Sequence, residues 1–231
     1  MSADDGRLVE MTPPDFSVKK AREIQLKVSK RIVMEDRLPP DIKMVAGIDA
    51  SYGWGSAVAS AVVLDYDTLE VIEVKYGRVK ERFPYVPTLL MFREAPALFK
   101  AMSKLRSKPD VYLIDAHGLA HPYRCGLASY VGVIKNVPTI GVAKRLLCGK
   151  VGGRTGDLAP IIDGGETVGA ELTTGPGRRP VYISIGNMVS LGRAIEVVRH
   201  CMEGHRMPEP LRVAHEEATR EKLRMIRGLK T

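Results

Sequence analysis

Cysteine is scarce in this 231-residue chain, where only Cys125, Cys148 and Cys201 occur, odd in number and far apart. Without a CxxC pair, neither a zinc finger nor a disulfide framework is indicated, and a reducing interior is expected. No stretch approaches the roughly 18 uninterrupted apolar residues of a membrane helix. The N-terminus carries Asp4 and Asp5 and lacks the apolar region of a signal peptide. These absences predict a soluble cytoplasmic protein without a membrane partner.

Positive charge is in excess: 35 Lys and Arg stand against 27 Asp and Glu, giving a net charge of +8 and a pI near 9.4. Such a field attracts polyanions, nucleic acid above all. On charge alone, a nucleic-acid partner and a basic protein without a specific partner are about equally supported. The length and the hydrophobic fraction of 45% suit one sizeable core, so a single domain over residues 1–231 is predicted.

Hydrophobic periodicity predicts an α/β fold with a mixed sheet flanked by helices. The first three strands, joined by short turns, suggest an antiparallel meander. A Gly-rich stretch at 149–165 reads as an excursion loop. The predicted strands are 43–52, 57–66, 71–79, 111–114, 139–142, 168–173 and 181–185. The predicted helices are 17–36, 88–106, 127–135, 190–203 and 210–228.

Two carboxylates, Asp49 and Asp115, lie at the ends of apolar strands. A carboxylate against a sheet core is costly unless it is paired or binds a cation, so a metal between them is one interpretation. Mg²⁺ suits hard oxygen ligands and keeps waters for catalysis. The alternative is that each carboxylate caps a neighbouring backbone amide. Glu94, on the helix after the meander, reads by itself as a solvated residue beside Arg93.

The segment after Asp115 is dense in polar residues and includes His117 and His121. Two histidines four residues apart could hold zinc if they lay on one helix. Gly118 and Pro122 argue against a helix there, which leaves a zinc hydrolase as a minor alternative.

Two further polar residues stand near predicted core elements. Lys144 ends a strand and could offset phosphate charge, although an ordinary strand-end lysine is at least as well supported. His215 shares a helical stripe with Leu211, Ala218, Met225 and Leu229, so it is expected to face inward. An inward histidine is more often a core residue than a catalytic one.

In order and spacing, several short motifs between residue 47 and about residue 218 resemble the endonuclease V family. No single motif is decisive, but together they cover roughly three quarters of the chain and are highly specific. They are Gly47-Ile48-Asp49, Pro84-Tyr85-Val86-Pro87, Phe92-Arg93-Glu94, the run from Asp115 to Pro122, Gly141-Val142-Ala143-Lys144 and the run from Pro208 to His215.

The resemblance implies a ribonuclease H-like fold and a metal-dependent endonuclease. It implies that Asp49, Glu94 and Asp115 bind Mg²⁺, for which Mn²⁺ can substitute, and that Lys144 and His215 complete the catalytic set. The substrate implied is DNA, or RNA, containing inosine, cut one nucleotide beyond the lesion on its 3′ side. A monomer is the default assembly.

The same resemblance implies how the lesion is read. Pro84-Tyr85-Val86-Pro87 would be a stiff wedge whose aromatic ring replaces stacking lost when the base leaves the helix, whereas the residues alone suggest only a structural turn. The implied base pocket comprises Thr88, Leu90, Ala116, His121 and Gly126.

This chain departs from the family pattern at the base pocket and beyond it. Glycine is expected where Thr88 and Ala116 stand, and His-Arg where Asn187-Met188 follow Gly186. The added Cβ atoms bear on inosine specificity rather than on hydrolysis.

Three other functions compete with a lesion-specific DNA endonuclease. They are an inosine-specific endoribonuclease, a lesion-binding protein that has lost catalysis, and a junction resolvase that uses clustered carboxylates. The intact acidic set argues against loss of catalysis, and the wedge argues against a resolvase.

Overall fold

The computed structural model describes residues 17–173, 175 and 178–228. The sequence interpretations that concern Asp4, Asp5 and Leu229 lie outside these residues. No described helix is both long and apolar enough to cross a membrane.

Nine strands in the described residues form one sheet, in the order β3-β2-β1-β4-β5-β9-β8-β7-β6. The strands are β1 (Met44–Gly53), β2 (Ser56–Asp65), β3 (Val71–Lys80), β4 (Val111–Ile114), β5 (Thr139–Ala143), β6 (Lys150–Val151), β7 (Leu158–Asp163), β8 (Glu166–Leu172) and β9 (Val181–Asn187). The helices are α1 (Val18–Ser29), α2 (Leu90–Met102), α3 (Leu127–Lys135), α4 (Leu191–His200) and α5 (Glu209–Gly228).

The predicted meander is confirmed, because β1 and β3 both pair antiparallel with β2. β4 then adds parallel to β1, and β5 adds parallel to β4. The pairing Ile48↔Ile114 makes Asp49 and Asp115 the next residues on adjacent parallel strands. Parallel pairing therefore brings both carboxylates to one edge of the sheet.

Core residues lie on both faces of this sheet. Ala46 and Ile48 of β1 pack toward α2 and α3, whereas Val45 packs toward the face covered by α4 and α5. A strand buried on both faces has no polar side of its own. The burial of β1 stops at Ile48, so Asp49 is the first residue after the buried segment whose side chain can meet water.

Two sequence predictions need correction. Residues 149–165 are not one excursion loop, because Lys150 and Val151 pair with Ile162 and Ile161 in an antiparallel ladder. The many glycines of this stretch hid the alternation of apolar residues that marks a strand. Ile161 is nevertheless fully buried, as a residue of a core strand is. The first helix ends at Ser29 rather than near residue 36, since the backbone of Val33 bonds to Asn187 and Met188 instead of continuing the helix.

Gly47 allows α5 to approach β1 closely. A Cβ at this position would lie 1.9 Å from the carbonyl oxygen of Pro210. Backbone atoms cannot move aside as a flexible side chain can. The start of α5, and with it His215, is therefore held against β1 only because residue 47 has no side chain.

We predict that Gly47→Ala lowers the free energy of unfolding by about 3 kcal/mol, because α5 must move away from β1. Urea denaturation measures this. Gly192→Ala in α4 is the matched control, since nothing lies within 4 Å of its added Cβ. The control should raise stability by roughly 0.5–1 kcal/mol through helix propensity. Equal effects of the two substitutions would contradict the close approach.

Candidate active site

Three groups able to ligate a metal ion converge where β4 ends and β1 leaves the buried core. Asp49 lies within β1 rather than at its end, as the sequence had suggested, because the burial of β1 stops at Ile48 while its pairing with β2 continues. Asp49, Asp115 and His215 each place a ligand atom within 4.8 Å of the other two. The two carboxylate side chains are mostly buried, with 11% and 14% of their surface exposed. Oxygen-rich sites of this kind suit hard divalent cations.

Asp49 uses both of its carboxylate oxygens. Oδ1 accepts the backbone N–H of Ala50 at 2.8 Å, so amide capping is part of its role. Oδ2 lies 2.7 Å from Nδ1 of His215. Burial, and then the charge of Asp115, raise the pKa of Asp49 above its ordinary value. A bound cation would stabilise the charged form of Asp49, which burial and the neighbouring carboxylate disfavour.

Glu94 approaches the same site from α2. Burial raises the pKa of Glu94 to about 7, and the charges of Asp49 and Asp115 add to this effect. Glu94 is not a member of the tight three-residue cluster. The Tyr52 phenol is close enough to affect the Glu94 pKa, although its hydroxyl forms no hydrogen bond of normal geometry with the described residues.

Lys144 and His215 are the basic groups at this edge. Nζ of Lys144 lies 2.5 Å from Oδ2 of Asp115. The expectation that His215 faces inward is wrong, because 59% of its side chain is exposed. Its stripe neighbours Leu211 and Ala218 are buried as expected. His215 differs because it lies over the part of β1 that has left the buried core, where its ring contacts Asp49.

A cavity of about 300 Å³ adjoins the carboxylates. Asp115 and Lys144 line it on one side, so the cavity and the cluster share a wall. Its lining is mainly apolar, as is usual for pockets that bind small organic groups. All five predicted base-contacting residues line this cavity: Thr88, Leu90, Ala116, His121 and Gly126.

The segment 84–87 projects beside this cavity. Tyr85 lines the cavity and is 64% exposed, whereas Pro84 is buried and anchors the segment. Pro84, Val86 and Pro87 are not part of the cavity wall. Tyr85 is therefore the exposed aromatic tip of this segment, and the buried Pro84 anchors it to the protein.

Thr88 adopts φ +67°, a backbone conformation that favours glycine. Its backbone carbonyl accepts from Arg22 at 3.1 Å and from Gln25 at 3.0 Å. Its hydroxyl also accepts from Arg22. These bonds hold a residue whose side chain makes this conformation unfavourable.

Sequence reasoning missed Gln25. This side chain is fully buried and lines the cavity, and its Nε2 donates to Thr88 and, at 2.7 Å, to the carbonyl of Cys125. Gln25 thus ties together the two loops that form the cavity walls. The position of Gln25 between Ala21 and Val28, on the helix face that the structure buries, was the only sequence signal, because a glutamine on a buried face needs a hydrogen-bond partner.

His117 and His121 do not form a zinc pair. The ring of His117 contacts the carbonyl of Arg145 at 2.9 Å, and the ring of His121 accepts from the backbone of Tyr123. The segment between them is not helical. Burial lowers the pKa of His121 to about 4 and raises that of Cys125 to about 12, so a neutral imidazole and a neutral thiol line the cavity.

The fold and this site define a ribonuclease H-like nuclease, with carboxylates gathered at the edge of a mixed sheet. The family model described as Endonuclease V matches residues 26–216. The chain belongs to the endonuclease V family, which confirms the resemblance, the fold class and the assignment as an endonuclease.

Individual relatives match over most of their length. Endonuclease V of Thermofilum pendens is 42% identical over 91% of both chains. The crystal structure of Endonuclease V from Streptomyces avermitilis has a TM-score of 0.85 and 34% identity, covering 93% of this chain and 98% of that one. Ciona intestinalis Endonuclease V, solved with a 24mer DNA containing an inosine followed by a ribo-adenosine, has a TM-score of 0.82 and 29% identity, covering 90% and 98%.

Stability of the metal-free protein should depend on Glu94. Because its pKa is raised to about 7, folding favours the protonated form. The contribution of Glu94 to the free energy of unfolding is therefore fully present below pH 4.5, the pKa of this group in the unfolded chain. It is lost as the pH rises to about 7, the pKa in the folded protein. We expect wild type to lose on the order of 3 kcal/mol over this interval in EDTA relative to Glu94→Gln. Urea denaturation at several pH values measures this, and parallel pH profiles would contradict it.

Gln25→Leu should lower the free energy of unfolding by about 2 kcal/mol. The substitution leaves the carbonyl of Cys125 without its donor and removes one donor from Thr88. Glu23→Leu on the exposed face of α1 is the control and should change stability by less than about 0.5 kcal/mol. A similar loss in both variants, measured by urea denaturation, would show that Gln25 does not tie the loops.

Proposed function

We propose that this protein is a Mg²⁺-dependent endonuclease that recognises inosine in nucleic acid and hydrolyses a phosphodiester bond on the 3′ side of the lesion. The observation that carries this proposal is the shared wall between the carboxylate cluster and the apolar cavity, formed by Asp115 and Lys144. The wall would put a cutting site directly beside a base-sized pocket. The inosine-containing DNA bound by the Ciona intestinalis relative supports the same substrate class.

The donor set fits a hard divalent cation. Asp49 and Asp115 would hold Mg²⁺, and Glu94 would assist from α2. The pKa values of Asp49 and Glu94 are both raised, first by burial and further by the charges of neighbouring carboxylates. A bound cation would offset this buried negative charge. When bound, the ion supplies Lewis-acid activation of the phosphate and of a water molecule. Mn²⁺ offers the same coordination chemistry.

His215 would orient or deprotonate the attacking water. Its Nδ1 is held by Asp49 at 2.7 Å, which leaves Nε2 as the ring atom able to take a proton. Its exposure suits this role, because water and the substrate backbone must both reach it. Lys144 would exchange part of its contact with Asp115 for the phosphate at the cut and offset its charge.

Recognition and cutting would occur on neighbouring nucleotides. The flipped hypoxanthine would enter the cavity, while Tyr85 at the exposed tip would stack where the base had been. Pro84 and Pro87 would keep that tip stiff. The neighbouring phosphate on the 3′ side would then lie over the carboxylates.

Thr88 and Ala116 would set how tightly the base is held. The bonds from Arg22 fix Thr88 despite its unfavourable φ, so the Thr88 side chain is held in place at the cavity wall. Ala116 adds a methyl group to the same wall. The added side-chain atoms would narrow the space around the flat 6-oxopurine ring of hypoxanthine and so affect the strength and breadth of inosine recognition.

The decisive experiment is cleavage of matched single- and double-stranded oligonucleotides, DNA and RNA, each with one inosine. Mg²⁺, Mn²⁺ and EDTA are compared, with adenosine and four-way-junction strands as substrate controls. We expect metal-dependent nicking near inosine, and mapping the product ends reports the side of the cut. Binding of inosine strands without cleavage would favour a catalytically inactive lesion reader, and no effect of inosine would overturn the proposal.

Asp49→Asn and Asp115→Asn should each lower kcat by about 10³-fold or more while inosine strands still bind. Asp110→Asn is the matched control, since Asp110 caps backbone amides at the opposite end of β4, where its Oδ2 accepts from Lys43 and Met44. The control should retain kcat within about twofold. Comparable losses in all three variants, with intact folding by circular dichroism, would argue against a role for the cluster.

A further inference from the structure

Two adjoining surface cavities follow β3 and α2, away from the base pocket. The one nearer the pocket measures about 550 Å³ and the farther one about 350 Å³, and both are lined by Arg78 and Lys100. We call the cations along them the basic track: Lys75, Arg78, Lys80, Arg82, Lys100 and Lys104.

The track carries an excess of positive charge: of its six cations, Lys75 pairs with Glu73 at 3.3 Å and Arg78 pairs with Glu221. The described residues that line the nearer cavity include no carboxylate, and Val79, Phe92 and Pro96 form its apolar floor. The farther cavity includes Glu221, whose charge is paired with Arg78. A cationic groove with an apolar floor matches a nucleic-acid strand, which offers phosphates on one side and bases on the other.

Several of these cations are not neutralised. Within residues 17–173, 175 and 178–228, Lys80 and Arg82 form no ion pair and both are exposed. Among the described residues, Lys100 and Lys104 donate only to the backbone carbonyls of Arg78 and Tyr76, which leaves their charge available. Exposed cations held along a groove without acidic partners favour binding of a polyanion.

The strand register links the track to the carboxylates. Arg78 is aligned with Val58 of β2, which is aligned with Ser51 of β1, two residues beyond Asp49. Two strand spacings of ~4.8 Å and two residue rises of ~3.4 Å put Arg78 about 12 Å from Asp49. Phosphates only one or two nucleotides from a bond cut at Asp49 would therefore reach the track.

The wedge segment separates the track from the base pocket. Phe83 lines the nearer track cavity, and Tyr85, two residues later, lines the pocket. A strand whose flipped base fills the pocket would pass this segment to enter the track. From Lys75 to Lys80 the track extends ~17 Å, which equals about five stacked nucleotides.

We propose that the basic track binds the nucleic acid flanking the lesion, through its phosphates and without sequence preference. This inference rests on the proposed function, because it extends the substrate path of the same site. It assigns to the track a contribution to affinity rather than to the chemical step. Phosphate contacts of this kind make binding weaken as salt concentration rises.

The test is fluorescence-anisotropy binding of a labelled 20-mer of thymidine, without a lesion and in EDTA, to the full chain. Lys80→Ala/Arg82→Ala should raise Kd about tenfold and reduce the salt slope by about 1.4, the value for two single-strand phosphate contacts. The matched control is Lys30→Ala/Arg31→Ala, which removes the same charge from exposed residues just beyond α1. That control should remain within about twofold of wild type.

A second readout is steady-state cleavage of inosine strands. The track variant should raise KM and leave kcat within about twofold, because the carboxylates are untouched. The two proposals can fail separately. If the wild-type protein cleaves no inosine strand but its binding still depends on the track residues, the proposed function is rejected and the inference about the track stands.

Three outcomes would overturn the inference. One is a track variant with wild-type Kd and salt slope. Another is an equal loss of binding in the control variant, which would mean that only net charge matters. The third is equal competition by poly-L-glutamate of the same charge, which would point to an acidic protein partner instead.

Discussion

The parallel pairing of β1 with β4 is the constraint on which the site depends. Ile48 of β1 pairs with Ile114 of β4, and Asp49 and Asp115 are the residues that directly follow this pair. The backbone N–H of Asp115 also donates to the carbonyl of Ile48 at 3.2 Å. Two carboxylates fixed this closely repel one another, and burial raises the cost. Their environment is tolerable because His215 and Lys144 contact them, and it would improve with a divalent cation.

The other elements of the fold position the remaining site residues around these two carboxylates. Gly47 lets α5 lie against β1 and so delivers His215, while α2 brings Glu94 from the opposite face of the sheet. Helix α1 joins the two loops of the cavity through Gln25 and holds Thr88 through Arg22. The carboxylates and the base pocket adjoin one another through Asp115 and Lys144, and residues 83–85 connect the pocket to the nearer cavity of the basic track.

Local pattern predicted the regular elements well where apolar residues alternate clearly. The strand Val111–Ile114 and the helix Leu127–Lys135 have the predicted bounds. The pattern failed at two places. Frequent glycines made residues 149–165 look like a loop and hid the strands β6 and β7. Helix α1 ends earlier than predicted, because the backbone of Val33 bonds to the side chain of Asn187. Helical periodicity also predicted an inward His215, because periodicity cannot tell where the buried core beneath a helix ends.

The sequence by itself determined the class of the protein, since motifs in a fixed order carry chemistry that needs particular residue types. It indicated Asp49 and Asp115 because charge inside apolar strands is costly wherever the strands lie. Only the tertiary structure decided that these carboxylates meet, that Gln25 joins the cavity walls, and that cations on β3 and α2 form one track. Those facts depend on strand register and helix placement, which bring together residues far apart in the chain.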